Sequence, residues 1–210
     1  MRPPQTRRAV LSALGSALPV ALAGCLAGTP GDDGSPTDDA AQTDDSTGDG
    51  SARGRPEVDC ERASRPPETP IGDAETPTDA SQYPERPESL SDDSTVETYL
   101  TTYERAYRRN ALADQYGDEL TTAGVPLGAT RHFDSREGSA VVRVRYQYYY
   151  EYSSDPETTA VVHADSATTY ATYYLDDRVL VRAEASGMLD DESVLRPDPW
   201  DSGAVVECWE

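Results

Sequence analysis

The stretch SAVVRVRYQYYYEY, residues 139–152, decides the fold, because its apolar and charged side chains alternate along the chain. Successive side chains of a β-strand point to opposite faces of a sheet, so this period of two indicates a strand. One face carries Val142, Val144, Tyr146, Tyr148, Tyr150 and Tyr152. The other face carries Arg143, Arg145, Gln147 and Glu151. The segment therefore predicts one long strand that is buried on one face only.

Shorter strand-forming segments lie on both sides of this long strand. The segments expected to form strands are 126–134, 158–164, 168–175, 178–185 and, as an edge strand near the end of the chain, 205–209. Asp176 and Asp177 lie between two of them and predict a tight hairpin turn. Because these connections are short, the sequence predicts an antiparallel sheet over residues 126–209.

A single amphipathic helix is predicted before the sheet, over residues 95–116, with its end near Gly117. The segment 94–97 has the Ser-x-x-Glu spacing of a capping box at the start of a helix. Apolar side chains then recur in steps of three and four, as one buried helical stripe requires. These residues are Val96, Leu100, Tyr103, Tyr107 and Ala111. Glu104 and Arg108, four residues apart, are expected to form an exposed ion pair.

One helix followed by an antiparallel meander predicts an α+β fold, with the helix packed on a curved antiparallel sheet of about five to six strands. In outline this order of elements resembles the cystatin-like or nuclear-transport-factor-2-like cone, a resemblance that rests on element order alone. Residues 60–90 are rich in proline and are expected to wrap the surface without regular structure. Residues 60–210 are thus predicted to form one domain.

The N-terminal residues 1–24 have the features of a secretory signal peptide. The mostly apolar run 9–24 carries no charge and is too short to span a membrane. Arg7 and Arg8 precede it in a segment that resembles the twin-arginine export motif. The sequence LAGC, which ends at Cys25, resembles the lipobox of exported lipoproteins. The resemblance implies a lipid on Cys25 and a location at the outer face of the cell membrane; the alternative is a short anchor that is never cleaved.

Residues 25–59 are predicted to be a disordered, acidic tether between the lipid and the domain. They consist largely of Thr, Asp, Gly, Ser, Pro and Ala and show no apolar periodicity. Such a segment cannot bury enough apolar surface to offset the entropy lost on ordering.

The cysteine count predicts one disulfide. With Cys25 assigned to lipid, Cys60 and Cys208 remain as a pair in an exported protein. Closing a loop of about 150 residues stabilises a fold by about 5 kcal/mol when chain entropy alone is considered. The alternative is two unpaired, buried thiols.

The composition is strongly acidic, with 39 Asp and Glu against 18 cationic residues and a formal net charge of −21. All of those cations are arginine, because the chain contains no lysine. A GC-rich genome accounts for the missing lysine but not for the excess of acids. The composition resembles that of haloarchaeal proteins, whose acidic surfaces stay hydrated in molar salt. Such a surface repels nucleic acid, so no nucleic-acid partner is predicted.

The row of tyrosines on one face of the long strand, which we call the tyrosine ladder, allows two interpretations. It consists of Tyr146, Tyr148, Tyr150 and Tyr152. If the helix covers Tyr146, Tyr148 and Tyr150, their rings form the core and their hydroxyls reach its rim. If the sheet forms an open cone, the same rings line a ligand pocket. Arg143 and Arg145 are the other candidate ligand-facing residues, since they belong to the one basic cluster of the chain, together with Arg105, Arg108 and Arg109 of the helix. The alternative is that these arginines form salt bridges with neighbouring Asp and Glu.

Two histidines are the remaining candidates for chemistry. His132 and His163 each precede an aspartate by two residues, a spacing that suits metal binding or acid–base catalysis but that an acid-rich chain produces by chance. We expect both to be ordinary surface histidines. The sequence contains no nucleophile elbow, phosphate-binding glycine loop or zinc cluster. No catalytic residue, metal or cofactor is therefore predicted.

These features predict a lipid-anchored cell-surface protein of a halophile. Its domain is expected to act as a non-enzymatic binding or envelope module for an unknown protein or small-molecule ligand. The alternative is a small enzyme, or an accessory subunit of one, with a tyrosine-lined cone in which His132 or His163 acts.

Overall fold

The computed structural model describes residues 53–71, 80–153 and 160–210. The helices of these ranges are α1 (Asp93–Tyr116) and the short α2 (Pro199–Ser202), with single 3₁₀ turns at Cys60–Arg62 and Gly117–Glu119. The strands are β1 (Leu120–Gly124), β2 (Leu127–Phe133), β3 (Ala140–Tyr146), β4 (Tyr149–Ser153), β5 (Val161–Asp165), β6 (Thr169–Leu175), β7 (Val179–Ser186) and β8 (Ala204–Cys208). Arg7, Arg8, Cys25 and residues 25–52 of the predicted tether lie outside the described residues. The prediction of a disordered tether is wrong for residues 53–59, because they pack against the domain.

The helix α1 begins two residues earlier than predicted, because Asp92 caps it. The Asp92 carboxylate accepts hydrogen bonds from the backbone N–H groups of Ser94 and Thr95, both at 3.3 Å. The predicted capping box is therefore wrong: Ser94 lies inside the helix, and its hydroxyl donates to Asp92. The helix ends at Gly117, as predicted, where a φ of 56° suits a residue without a side chain.

The strands form two antiparallel sheets, which confirms the predicted α+β class. The larger sheet has the order β2-β3-β6-β7-β8 and the smaller one the order β1-β4-β5. The long strand predicted over residues 139–152 is divided between them, because its first half is β3 and its second half is β4. The alternation pattern also does not predict β1.

The two sheets meet at a bend that three chain segments cross. β1 leads into β2, β3 into β4, and β5 into β6, each across two or three residues. At the bend, the backbone N–H group of Ser166 donates to the carbonyl of Tyr148 at 2.8 Å. Pro126, between β1 and β2, has no N–H group to extend the ladder. The alternation of side chains continues through the bend, so the sequence pattern does not reveal it.

The main core lies between α1 and one face of the five-stranded sheet. Val96, Leu100 and Tyr103 of α1 are buried there. The sheet contributes Val142, Val144, Tyr146, Ala171, Tyr173, Leu175 and Leu180. Burying such side chains stabilises a fold by about 1.5–3 kcal/mol each before the entropy cost is counted. The helix thus packs on the face that the sequence predicts to be apolar.

The opposite face of the same sheet is covered as well. Val141, Tyr174 and Val181 form a second core cluster with Val58 and Trp200, which come from segments at the two ends of the domain. The prediction that the long strand is buried on one face only is therefore wrong for β3.

The N-terminal segment of the domain is held firmly at one end of this sheet. Cys60 and Cys208 form the predicted disulfide, which joins the segment to β8. The indole N–H group of Trp200 donates to the carbonyl of Gly54 at 2.8 Å. Arg55 forms an ion pair with Asp176 in the turn between β6 and β7. The chain therefore enters the domain at the turn end of β6, which is the end away from the bend.

The turn between β6 and β7 has the predicted hairpin form. The Asp176 carboxylate accepts hydrogen bonds from the backbone N–H groups of Arg178 (2.8 Å) and Val179 (3.0 Å). Burial raises the pKa of this carboxyl, but the hydrogen bond from Arg55 and those from the turn outweigh burial, so the net pKa is lowered.

Candidate functional site

The ladder tyrosine that lies deepest in the core, Tyr146, belongs to a buried polar cluster beneath α1. Its centre is Glu104, whose side chain is 0% exposed. The Arg182 guanidinium donates to both Glu104 oxygens, at 2.7 and 2.8 Å, as a bidentate pair. The hydroxyl of Tyr173 also donates to Glu104. Every member of the cluster so far named is buried, so these groups fill the space between helix and sheet.

Arg108 and Glu184 close this cluster at its more exposed side. Arg108 donates to the Tyr146 hydroxyl from two nitrogens, at 3.0 and 3.1 Å. The Glu184 carboxylate accepts hydrogen bonds from both Arg108 and Arg182. The exposed Glu104–Arg108 ion pair predicted from the helix spacing is therefore wrong. Glu104 instead pairs with a residue of β7.

The pKa shifts within the cluster favour an ionised Glu104 and neutral tyrosines. Burial raises the pKa of Glu104, but the charge and hydrogen bonds of Arg182 outweigh burial, so the net pKa is lowered. Burial raises the pKa of Tyr173 and of Tyr146, and the nearby Glu104 charge adds to it. The tyrosines therefore stay neutral while the carboxyl stays ionised, with Tyr173 donating to Glu104 and Tyr146 accepting from Arg108. The arrangement is a satisfied structural network, which fixes how α1 sits on the sheet.

Beyond the bend the ladder continues as a partly exposed row of rings. Tyr148, Tyr150 and Tyr152 follow one another with centroids 6.3 and 6.1 Å apart and planes inclined by 23° in each step. Tyr116, the last residue of α1, lies against this row, 4.9 Å from Tyr150 and 4.7 Å from Tyr152. All four side chains are of intermediate exposure. We call these four residues the tyrosine surface.

The tyrosine surface rests on a small apolar cluster and is fixed by hydrogen bonding. Leu112 and Leu120 are buried beneath it. The Tyr116 hydroxyl donates to the Tyr150 hydroxyl at 2.8 Å. That hydrogen bond, with burial second, raises the pKa of Tyr116 to about 12. The surface is thus a pre-arranged set of rings rather than four independent side chains.

The ladder tyrosines differ in burial, so neither the core interpretation nor the pocket interpretation holds for all of them. Tyr146 is 2% exposed and belongs to the core. Tyr148 and Tyr150 are only partly buried. Both belong to the partly exposed tyrosine surface.

Arg143 and Arg145 do not join the tyrosines. Both project from the other face of β3, as the alternation predicts. Arg143 is 2% exposed and donates to the backbone carbonyls of Val194 and Arg196, both at 3.0 Å. Arg145 is exposed and pairs with Glu192 at 3.2 Å. The first arginine therefore anchors the loop after β7, and neither belongs to one site with Tyr146, Tyr148 and Tyr150.

The two histidines lie on the surface and apart from the buried cluster. His132 has two carboxylates of α1 near it, Asp93 at 3.9 Å and Glu97 at 3.8 Å. His163 is 72% exposed and contacts Glu151 of the neighbouring strand at 3.0 Å. Their nearest acidic partners are thus not the aspartates two residues further along the chain. In the described ranges there is no group of three or more metal-binding side chains, and no helix long and apolar enough to cross a membrane.

Sequence reasoning missed Glu104 and Arg182, although a signal for each exists. Glu104 lies one turn after Leu100 and next to Tyr103, on the apolar stripe of α1, where a charge is out of place. Arg182 shares the helix-facing side of β7 with Leu180. Two opposite charges on two apolar faces that meet indicate a buried pair.

Comparison with protein-family models, curated proteins and solved structures finds no match for the chain. A functional proposal for this protein therefore rests on its own residues.

Proposed function

We propose that this protein is a lipid-anchored, non-enzymatic binding module at the cell surface of a halophile, and that the tyrosine surface is where it contacts its partner. One observation carries the proposal: the tyrosine ladder leaves the core at the bend and continues as a partly exposed row. Tyrosine offers a large, rigid contact area with a polar end, which is why it is common in binding surfaces.

The position of the tyrosine surface within the domain supports this role. The chain enters the domain at the turn end of β6, where Arg55 pairs with Asp176. Seven residues of β6 separate that end from the bend, a distance of about 20 Å along the strand. A tether that starts at a lipid on Cys25 would join the domain at the far end from the tyrosine surface.

The chemistry of the interior supports binding over catalysis. Both oxygens of Glu104 are occupied by Arg182, and one of them also by Tyr173. A carboxylate in this state is a poor general base, since its lone pairs are engaged and its pKa is lowered. His132 and His163, the expected reactive groups of the enzyme alternative, contact surface carboxylates instead.

Anchoring is tested by fractionating cells of a haloarchaeal host that produces the full chain. Wild-type protein should sediment with membranes, and Cys25→Ser should appear in the soluble or secreted fraction. Changing Arg7 and Arg8 to lysine should leave precursor in the cytoplasm. A Cys25→Ser protein that stays in the membrane fraction would refute the lipid anchor.

The binding surface is tested by photo-crosslinking on intact cells. A benzophenone amino acid replaces Tyr150 in one variant and Tyr149 in another. Tyr149 is the matched control because it lies on the opposite face of the same strand and is 45% exposed. Adducts should form from position 150 and not from position 149. Adducts from neither position, or equally from both, would remove the tyrosine surface from the proposal.

The halophile part of the proposal is tested by dialysis. With 39 acidic residues against 18 arginines, low salt should weaken the fold through self-repulsion. A thermal unfolding midpoint that is the same in dilute buffer and in molar salt would contradict it.

A further inference from the structure

Guanidinium groups of this chain repeatedly lie over its own aromatic rings. Arg65 lies 4.1 Å from the ring centre of Tyr83, and Arg182 lies 4.1 Å from that of Tyr107. Arg108 lies 4.7 Å from that of Tyr148, at one end of the tyrosine surface. Arginine stacks well on aromatic faces because its cation is planar and weakly hydrated. The domain thus uses this contact as a standard means of packing.

The rest of the tyrosine surface has the rings without the cations. Among the described residues, the aromatic partners of Tyr116, Tyr150 and Tyr152 are all tyrosines, and no guanidinium group lies over these three rings. This contrasts with Tyr148 beside them, whose ring Arg108 covers. These three partly exposed rings therefore lack the arginine contact that is common elsewhere in the domain.

The charge around these three rings favours a cation. Tyr116 is the last residue of α1, a helix of 24 residues, and the last turn of that helix contains no basic side chain. A helix C-terminus carries a partial negative charge that a cation stabilises. Asp114, Asp118 and Glu119, which flank Tyr116 in sequence, are all exposed. Exposed carboxylates and partly exposed rings are thus neighbours at this end of α1.

We infer that the tyrosine surface binds an arginine side chain of a partner protein, with the guanidinium stacked on Tyr150 and Tyr152 and directed toward the C-terminus of α1. This inference rests on the proposed function and names the chemistry of the partner. Arginine fits better than lysine because a compact ammonium group cannot stack. Stacking also persists in molar salt, where the Debye length is about 3 Å and ordinary ion pairs are screened.

The test measures binding of three short peptides to the purified full chain in molar salt. The peptides are identical except that they carry arginine, lysine or the uncharged analogue citrulline. The arginine peptide should bind about 5- to 20-fold more tightly than either of the others. The double variant Tyr150→Ser/Tyr152→Ser should lose that preference.

Two controls keep the result open to contradiction. Tyr149→Ser, on the opposite face of β4, should bind the arginine peptide like wild type, and circular dichroism checks that each variant is folded. Equal binding of the arginine and lysine peptides that disappears as salt rises would overturn the inference, because that is the behaviour of non-specific charge attraction.

Binding of neutral oligosaccharides to the same protein is measured as a third comparison. If they bind to the tyrosine surface and the arginine peptide does not, the arginine inference falls while the proposed binding function stands. If instead position 150 gives no adducts on cells, the tyrosine surface is removed from the proposed function itself. The two failures are therefore distinguishable.

Discussion

The tyrosine ladder has a buried, interior half before the bend and a partly exposed, open half after it, although the same alternating sequence pattern runs through both. Tyr146 lies before the bend and is buried among Arg108, Arg182 and the α1 helix. Tyr150, after the bend, belongs to the partly exposed tyrosine surface. Both occupy the same face of one alternating segment. Periodicity thus identifies the face of a side chain, whereas burial depends on what the rest of the chain places over that face.

The tyrosines of the two halves also have different roles. In the interior, the Tyr173 hydroxyl donates to the fully buried Glu104 and the Tyr146 hydroxyl accepts from the partly buried Arg108. In the open half, the hydroxyl of Tyr116 bonds that of Tyr150 and their rings remain partly accessible. The interior half is thus stabilising, and we propose that the open half is functional. The following predictions are ordered by the size of the expected effect.

The largest effect is expected from Glu104→Ala, which removes one partner of the buried ion pair. The Arg182 charge would remain buried without its carboxylate, so the free energy of unfolding should fall by about 3–5 kcal/mol. Denaturant unfolding in molar salt measures it. Because the pKa of Glu104 is lowered in the fold, its stabilising contribution is present above the ordinary glutamate pKa and is lost as pH falls through the folded value.

The matched control for this change is the double variant Glu104→Met/Arg182→Met. Replacing both partners by apolar side chains leaves no unpaired charge, so this protein should be more stable than Glu104→Ala. A double variant as unstable as the single one would mean that the cluster does not act through its ion pair.

A smaller difference is expected between alanine variants of the two ladder halves. Tyr146→Ala leaves a cavity in the core and should cost about 3–4 kcal/mol of unfolding free energy, in the range for large aromatic side chains. Tyr150→Ala removes a partly exposed ring and should cost about 1 kcal/mol. The same unfolding assay measures both. An equal loss of unfolding free energy in the two variants would show that Tyr146 and Tyr150 do not differ in burial.

The smallest effect concerns ionisation of the open half. Because the pKa of Tyr116 is raised to about 12, its neutral form is favoured in the fold. The stability that this provides is complete below the ordinary tyrosine pKa of about 10 and is lost as pH rises through about 12. Spectrophotometric titration of Tyr150→Phe should show one tyrosine ionising at lower pH than in wild type. An unchanged titration would show that the Tyr116–Tyr150 hydrogen bond is absent in solution.

The sequence was sufficient for the fold class because helix and strand periods are local properties. The stripe of α1 and the alternation of β3 required no tertiary information. The bend was not predictable, since alternation continues across it and only Pro126 indicates an interruption. The second covered face was not predictable either, because the segments that bury Arg143 are distant in sequence and irregular.

The candidate site shows the same limit. The alternating pattern places Tyr148 and Tyr150 on one face, but it cannot show that Tyr116 from the helix end completes the surface. The helix pattern assigns Glu104 to the solvent-exposed face, because i,i+4 spacing to an arginine is typical of exposed helix pairs. Only the meeting of α1 with β7 reveals the true partner, Arg182.

The most direct test of the divided ladder is nitration of the native protein in molar salt, with each modified tyrosine located by mass spectrometry of its peptide. Reagent reaches a buried ring only through local unfolding. Tyr150 and Tyr152 should be nitrated early, while Tyr146 and Tyr173 should remain unmodified until the protein unfolds. Nitration of Tyr146 at the same rate as Tyr150 would contradict the account.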